Sequence, residues 1–244
     1  MSYRSKELDF IYKQLYRLDY PAIRTFCLNN NYQTDSRITK LINSKRIQHQ
    51  INHAIQQNRD PIIEACLQRD ADMVDELIKQ GFDPALHENV AIRAASINGY
   101  IDVVDRLLKD PRVDPSVYRN QAIIYASENG YSSVVDRLLV DPRVNPSASD
   151  NYAIIQASHN GHLKVVKRLL KDRRVDPADQ NNLAIVLASK EERILVVACL
   201  LKDSKVRKKL TPSELKFYAK QAGVSLSMCD KLRCLIARLK SRNS

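Results

Sequence analysis

The sequence predicts an all-α solenoid of about five to six repeated units, with a small helical domain ahead of it. Three observations carry this expectation. A block of residues recurs at a fixed step of 31: Ala91, Ala122, Ala153 and Ala184 fall in register, as do Ile92, Ile123, Ile154 and Ile185. Each block also holds two apolar stripes at helical spacing, split by Gly99, Gly130 or Gly161. Finally, each block ends in a proline step: Asp83-Pro84, Asp114-Pro115, Asn145-Pro146 and Asp176-Pro177. A period of this size signals units that bury their apolar faces only against their neighbours.

The elements follow in chain order. Residues 1–59 form an N-terminal helical region, with Leu8, Ile11, Leu15 and Leu18 as a stripe that ends near Pro21, and a short second helix from Ala22 to Leu28. The repeats occupy residues 60–210. A short copy spans 60–86, clear copies span 87–116, 117–147 and 148–178, and a degenerate one spans 179–210 with Glu192 where glycine is expected. In the third clear copy, Ala153, Ile154 and Ala157 mark the first helix, and Asn160-Gly161 stops it with a left-handed glycine. Val165, Val166, Leu169 and Leu170 form the wide apolar face of the second helix. Asp172 to Pro177 then reads as an extended finger, because proline lacks an amide donor and restricts the residue before it. Asn89, Asn120, Asn151 and Asn182 each precede a first helix and are expected to cap it. Residues 211–244 make a degenerate capping repeat and basic tail. They open with the capping box Thr211-Pro212-Ser213-Glu214, stop at Gly223, and place Leu232, Leu235 and Leu239 on a last helix.

The unit Ala157-Ser158-His159-Asn160-Gly161-His162, followed by Val165-Val166 and Leu169-Leu170, resembles the ankyrin repeat. The resemblance covers roughly residues 60–206. It departs from the family at the helix opening, where Thr-Pro-Leu-His is replaced by Gln121-Ala122-Ile123-Ile124 and Tyr152-Ala153-Ile154-Ile155. The Asp110 to Pro115 finger resembles those of ankyrin arrays from large DNA viruses of protists, which implies a viral source. Leu8 to Cys27, centred on Leu18-Asp19-Tyr20-Pro21-Ala22-Ile23, resembles the opening of an F-box-like domain. That family's leading Leu-Pro is missing, and the chain holds no tryptophan.

Charge divides the chain in three. Residues 1–59 hold 10 basic and 4 acidic side chains, residues 60–199 hold 17 and 21, and residues 200–244 hold 12 and 3. A slightly acidic array between two basic ends suggests different jobs for array and ends. No apolar run approaches the roughly 18 residues of a membrane span, and no leader pattern opens the chain. The 5 cysteines stand at unrelated spacings, so they read as reduced thiols and the expected compartment is intracellular and cytoplasmic, within a host cell if the source is viral.

The candidate chemistry is sparse. His49 and His53 sit four apart, a spacing two zinc ligands could use, but no cysteine pair or acid accompanies them. Cys229 and Cys234 likewise lack a second pair. No nucleophile elbow, phosphate loop or dinucleotide glycine pattern appears. His159 and His162 occupy repeat positions held elsewhere by Glu128 and Tyr131. The expectation is a protein that is not an enzyme and takes no cofactor or metal. Lys202, Lys205, Arg207, Lys208 and Lys209 could meet a polyanion, though a polar outer side on a terminal repeat is the preferred reading.

The predicted function is therefore protein binding by a scaffold or adaptor. The resemblance implies recognition on a concave surface built from fingers and first helices, at positions that change between copies while the core does not. On the fingers these are His87, Tyr118, Ser149 and Gln180. Beside the helix turn they are Ile97, Glu128, His159 and Lys190. Two alternatives are a substrate receptor recruiting a ubiquitin-ligase component through residues 1–59, and a polyanion or nucleic-acid binder working through the basic ends.

Overall fold

The computed structural model describes residues 60–226. The N-terminal stripe, the F-box-like segment, His49 and His53, Cys27, Cys229 and Cys234, and the last stripe from Leu232 to Leu239 lie outside the described residues. Those described are helices and turns, with no strand among them. They fall in two units, divided between Phe82 and Asp83.

The first unit ends in a helical hairpin, α1 (Pro61–Leu67) and α2 (Ala71–Lys79). Asp60 caps α1 by accepting from the amides of Ile62 at 2.8 Å and Ile63 at 3.2 Å, with Pro61 at the first helical position. Asp70 caps α2 through the Met73 amide at 3.0 Å. Ile62, Ala65 and Cys66 on α1, and Met73, Val74 and Leu77 on α2, are buried. Burial pushes the Cys66 thiol up to about 12, so it packs as a small apolar side chain.

The second unit continues with α3 (Leu86–Ile97), α4 (Ile101–Leu107), α5 (Val117–Glu128), α6 (Ser132–Val140), α7 (Ala148–His159) and α8 (Leu163–Leu169). Then come α9 (Asp179–Lys190), α10 (Ile194–Leu200), α11 (Ser204–Lys209) and α12 (Pro212–Gln221). Each odd-numbered helix from α3 to α9 packs on the next odd one, and α4, α6, α8 and α10 stack likewise, giving a two-layer helical solenoid. The core is the repeat itself. Ile92, Ile123, Ile154 and Ile185 from the first layer meet Val103-Val104-Leu107, Val134-Val135-Leu138 and Val165-Val166-Leu169 from the second, all buried. Leu170 is only half-buried, so the second-helix face is one residue narrower than its sequence suggests. Each fully buried Val, Leu or Ile contributes about 1.5–3 kcal/mol.

The stops between the layers are as the glycines predict. Gly99, Gly130 and Gly161 have φ of +72°, +80° and +81°. They also carry a second constraint. A Cβ at Gly130 would stand 2.6 Å from Nδ1 of His162, and one at Gly161 would stand 2.7 Å from Cδ of Arg193. The side chain that opens each following turn thus lies over the bare glycine before it.

The fingers are not extended. They run as chained tight turns, because each folds around its own aspartate. Asp141 accepts from the Arg143 amide at 3.0 Å and pairs with that guanidinium at 3.0 and 2.7 Å, and Asp110–Arg112 and Asp172–Arg174 repeat the pattern. The guanidinium then reaches back one unit: Arg143 donates to the carbonyl of Val113 and Arg174 to that of Val144, both at 2.7 Å. Val113, Val144 and Val175, buried at the finger base, anchor it to the core.

After α10 the pattern breaks. The fifth finger is replaced by α11, capped by Asp203 and packed on α9. Lys205 stands one repeat beyond Arg174 and takes over its task, donating to the Val175 carbonyl at 3.3 Å. The capping box of α12 forms as expected: the Glu214 amide donates to Oγ1 of Thr211 at 3.2 Å, and the Thr211 amide to Oε2 of Glu214 at 2.8 Å. Helix α12 packs on α10 and bonds to the end of α9, where Nε2 of Gln221 donates to the Ser189 carbonyl at 3.0 Å.

Candidate protein-binding surface

A left-handed turn opens each first helix. In α3, His87, Glu88 and Asn89 have φ of 51°, 56° and 58°, so right-handed helix begins only at Val90. Tyr118-Arg119-Asn120, Ser149-Asp150-Asn151 and Gln180-Asn181-Asn182 repeat the conformation. Three successive non-glycine residues with positive φ are costly, on the order of 1–2 kcal/mol each. No β-branched residue stands among the twelve, and each turn ends in asparagine, a residue that tolerates this region.

The asparagines explain how the turn persists, and they correct the expectation that they cap their own helices. At φ near +60° they lack the extended backbone of a helix cap. They are buried, and each closes the left-handed turn by donating its amide four residues back, as Asn120 does to Ser116 at 2.8 Å. The side chain serves the next finger instead. Oδ1 of Asn89 accepts from the Asp114 amide at 2.8 Å, Asn120 from Asn145 at 2.7 Å, and Asn151 from Asp176 at 2.7 Å. One residue type fastens turn and finger together.

This fastening leaves the first two positions of each turn facing outward. His87, Tyr118 and Gln180 are exposed and Ser149 half-buried, so the four finger positions singled out from sequence share one repeated place. Tyr118 is 50% exposed, yet not free of packing: the Arg93 guanidinium lies 4.4 Å over its ring and donates to Oε1 of Gln121 at 2.9 Å. The ring is therefore held ready at the surface.

The positions beside the helix turn are less uniform. Ile97 and Lys190 are exposed, whereas Glu128 and His159 are half-buried. The Glu128 carbonyl accepts from Nδ2 of Asn160 at 2.8 Å and lies 2.9 Å from Nε2 of His162, while the His159 carbonyl accepts from Arg193 at 3.2 Å. Asn98 and Asn129 bond back to their own helices, through the carbonyls of Ala94 and Tyr125. The backbone at this rim is structural, and only side-chain tips are left without such bonds to the repeat.

Sequence reasoning missed part of the same face. Tyr152 is exposed on the first turn of right-handed helix in α7. Val186 and Phe217, one repeat apart and in register with Arg93, are exposed too, Phe217 by 60%. Their register was legible, but buried Ile124 and Ile155 occupy the same column, so the pattern alone read as core.

The basic tail is largely committed. Lys209 donates to the Ala178 carbonyl at 2.8 Å, Arg207 to those of Leu201 and Lys202 at 2.9 and 3.1 Å, and Lys205 to that of Val175. Among the described residues no group of three or more His, Cys, Asp or Glu could hold a metal ion, and no helix is long and apolar enough to cross a membrane.

Residues 123–210 match the family model for ankyrin repeats in three copies, a span that runs from α5 to the end of α11. Such repeats are generally protein–protein interaction modules and typically non-catalytic. No curated protein matches the chain.

Proposed function

We propose that this chain is a non-catalytic scaffold that recognises a protein partner on the face formed by its left-handed turns and first helices. One observation carries the reading. The same left-handed turn recurs four times, closed each time by an asparagine amide and three times tied to the next finger by that side chain, while the outward side chain changes from His87 to Tyr118 to Ser149 to Gln180. A rigid frame with exchangeable tips recognises a partner without an ordering cost on its own side. Tyr118 suits an anchor, because it joins apolar area and a hydroxyl on a side chain that Arg93 already holds in place.

The test is a pull-down with the full chain and two double variants. Tyr118→Ala with Glu128→Lys should lose the captured protein, with a melting curve close to the parent's. Asp105→Ala with Asp136→Ala, on the second-helix layer, should retain it. Loss in the second variant and retention in the first would place binding elsewhere. A ligase-recruiting role would reside in residues 1–59, and the same captured material assayed for a ubiquitin-ligase component tests it.

A further inference from the structure

The second-helix layer carries a ladder of ion pairs between successive units from α4 to α8, and there it breaks off. Arg137 on α6 meets Asp105 on α4 at 2.7 Å, and Arg168 on α8 meets Asp136 on α6 at 3.1 Å. The next rung would join residues 167 and 199. The sequence places Lys167 where the ladder has aspartate and Cys199 where it has arginine. One turn earlier, Lys164 stands in the register of Asp102 and Ser133. The face therefore changes from paired charge to uncompensated positive charge.

The change coincides with a groove of about 700 Å³ along α8, bordered by the ends of α6 and α10. Lys164, Lys167, Lys171 and Lys202 line it with Arg168, while Leu170 and Cys199 contribute apolar surface. Among the described residues none of these four lysines has an ion-pair partner. The only carboxylate in the lining, Asp203, is engaged in capping α11. Burial raises the Cys199 thiol pKa, and Lys167 and Lys202 both lie near enough to oppose that rise. Two large apolar side chains continue the same registers: Val140, 75% exposed, one repeat before Lys171, and Leu195, 69% exposed, one repeat after Lys164.

We infer that this groove is a second docking site, which takes an acidic protein segment carrying bulky apolar side chains. The lysines match carboxylates in sign, and the groove's apolar surface with exposed Val140 and Leu195 matches aliphatic side chains between them. A nucleic-acid strand fits less well, since no aromatic side chain lines the groove to stack a base. The site lies on the layer opposite the turns, so it is independent of the face proposed above for recognition.

The experiment measures fluorescence anisotropy of a short labelled peptide of repeated Glu-Glu-Leu with the full chain. An all-Glu peptide of equal length and an oligouridylate of equal charge serve as comparisons. The Glu-Glu-Leu peptide should bind most tightly and weaken as salt rises. Lys167→Asp with Cys199→Arg rebuilds the missing rung, so this variant should fold as well as the parent and bind about tenfold more weakly or worse. Lys164→Gln with Lys171→Gln should weaken binding in the same direction and serves if the first variant does not fold. Leu195→Ser should narrow the gap between the two peptides. Tyr118→Ala should change nothing here; if it alone abolishes binding, the peptide sits on the turn face and only this proposal falls. Absence of binding, equal affinity in the rebuilt variant, or tighter binding of oligouridylate would each overturn it.

Discussion

Asn120 and Asn182 occupy the same place in two copies and face different fates. Asn120 Oδ1 holds the Asn145 amide, while Asn182 Oδ1 is buried with no hydrogen-bond partner among the described residues, since α11 has replaced the finger that would have supplied one. Replacing Asn120 by alanine leaves a finger amide unbonded and puts a poorer residue at φ +64°. We expect a loss of about 1–3 kcal/mol in urea unfolding. Asn182→Ala removes an orphaned acceptor at the same φ, so it should cost distinctly less. Equal losses would mean that backbone conformation, and not the bond to the finger, decides the residue. The sequence showed these asparagines by register and placed them at the right boundary. It could not show their partner, which lies 25 residues ahead and is reached only after the units stack. The glycines were legible for a simpler reason: positive φ is a local demand, though the His162 ring over Gly130 is not.

At the scale of the element, the finger is an acid-sensitive clip. The Arg143 side chain, hydrogen-bonded to Asp141, holds that carboxyl below the usual carboxylate range against the opposing effect of burial, and Arg112 and Arg174 do the same for Asp110 and Asp172. A pKa lowered in the folded state contributes stability that is present above the unfolded value and lost as pH falls through the folded one. Stability should therefore decline as pH drops below about 4. Asp141→Asn should make the acid limb of a pH series of melting temperatures shallower, and an unchanged limb would remove Asp141 from the account. The motif Asp-Pro-Arg-Val is plain in the sequence, but proline suggested extension. The aspartate won because it accepts from both the backbone amide and the guanidinium of the arginine two residues on, which closes a turn that proline permits.

At the largest scale, the repeats of the second unit pack on their neighbours before and after them in the stack, so damage should spread by nearest neighbours. The fixed step made this architecture legible from the buried Ala, Ile, Val and Leu positions, whose spacing is set by packing. The rebuilt end was not, because α11 has no counterpart in the earlier copies and its register reads as a worn finger. Leu138 in α6 and Leu200 in α10 are equivalent buried side chains, one in the interior of the stack and one near its end. Leu138→Ala should cost about 2–5 kcal/mol through its cavity. Arg137→Ala, which breaks an ion pair that the sequence alone would have left as an idle exposed charge, should cost at most about 1 kcal/mol. Native-state hydrogen exchange separates local from global effects. Leu138→Ala should lower amide protection on both sides, in α4 and α5 as well as in α7 and α8. Leu200→Ala should lower it in α9 to α12 and leave α3 to α6 near the parent values. If both variants lower protection uniformly from α3 to α12, the stack opens as one cooperative block, and the nearest-neighbour description of this protein fails.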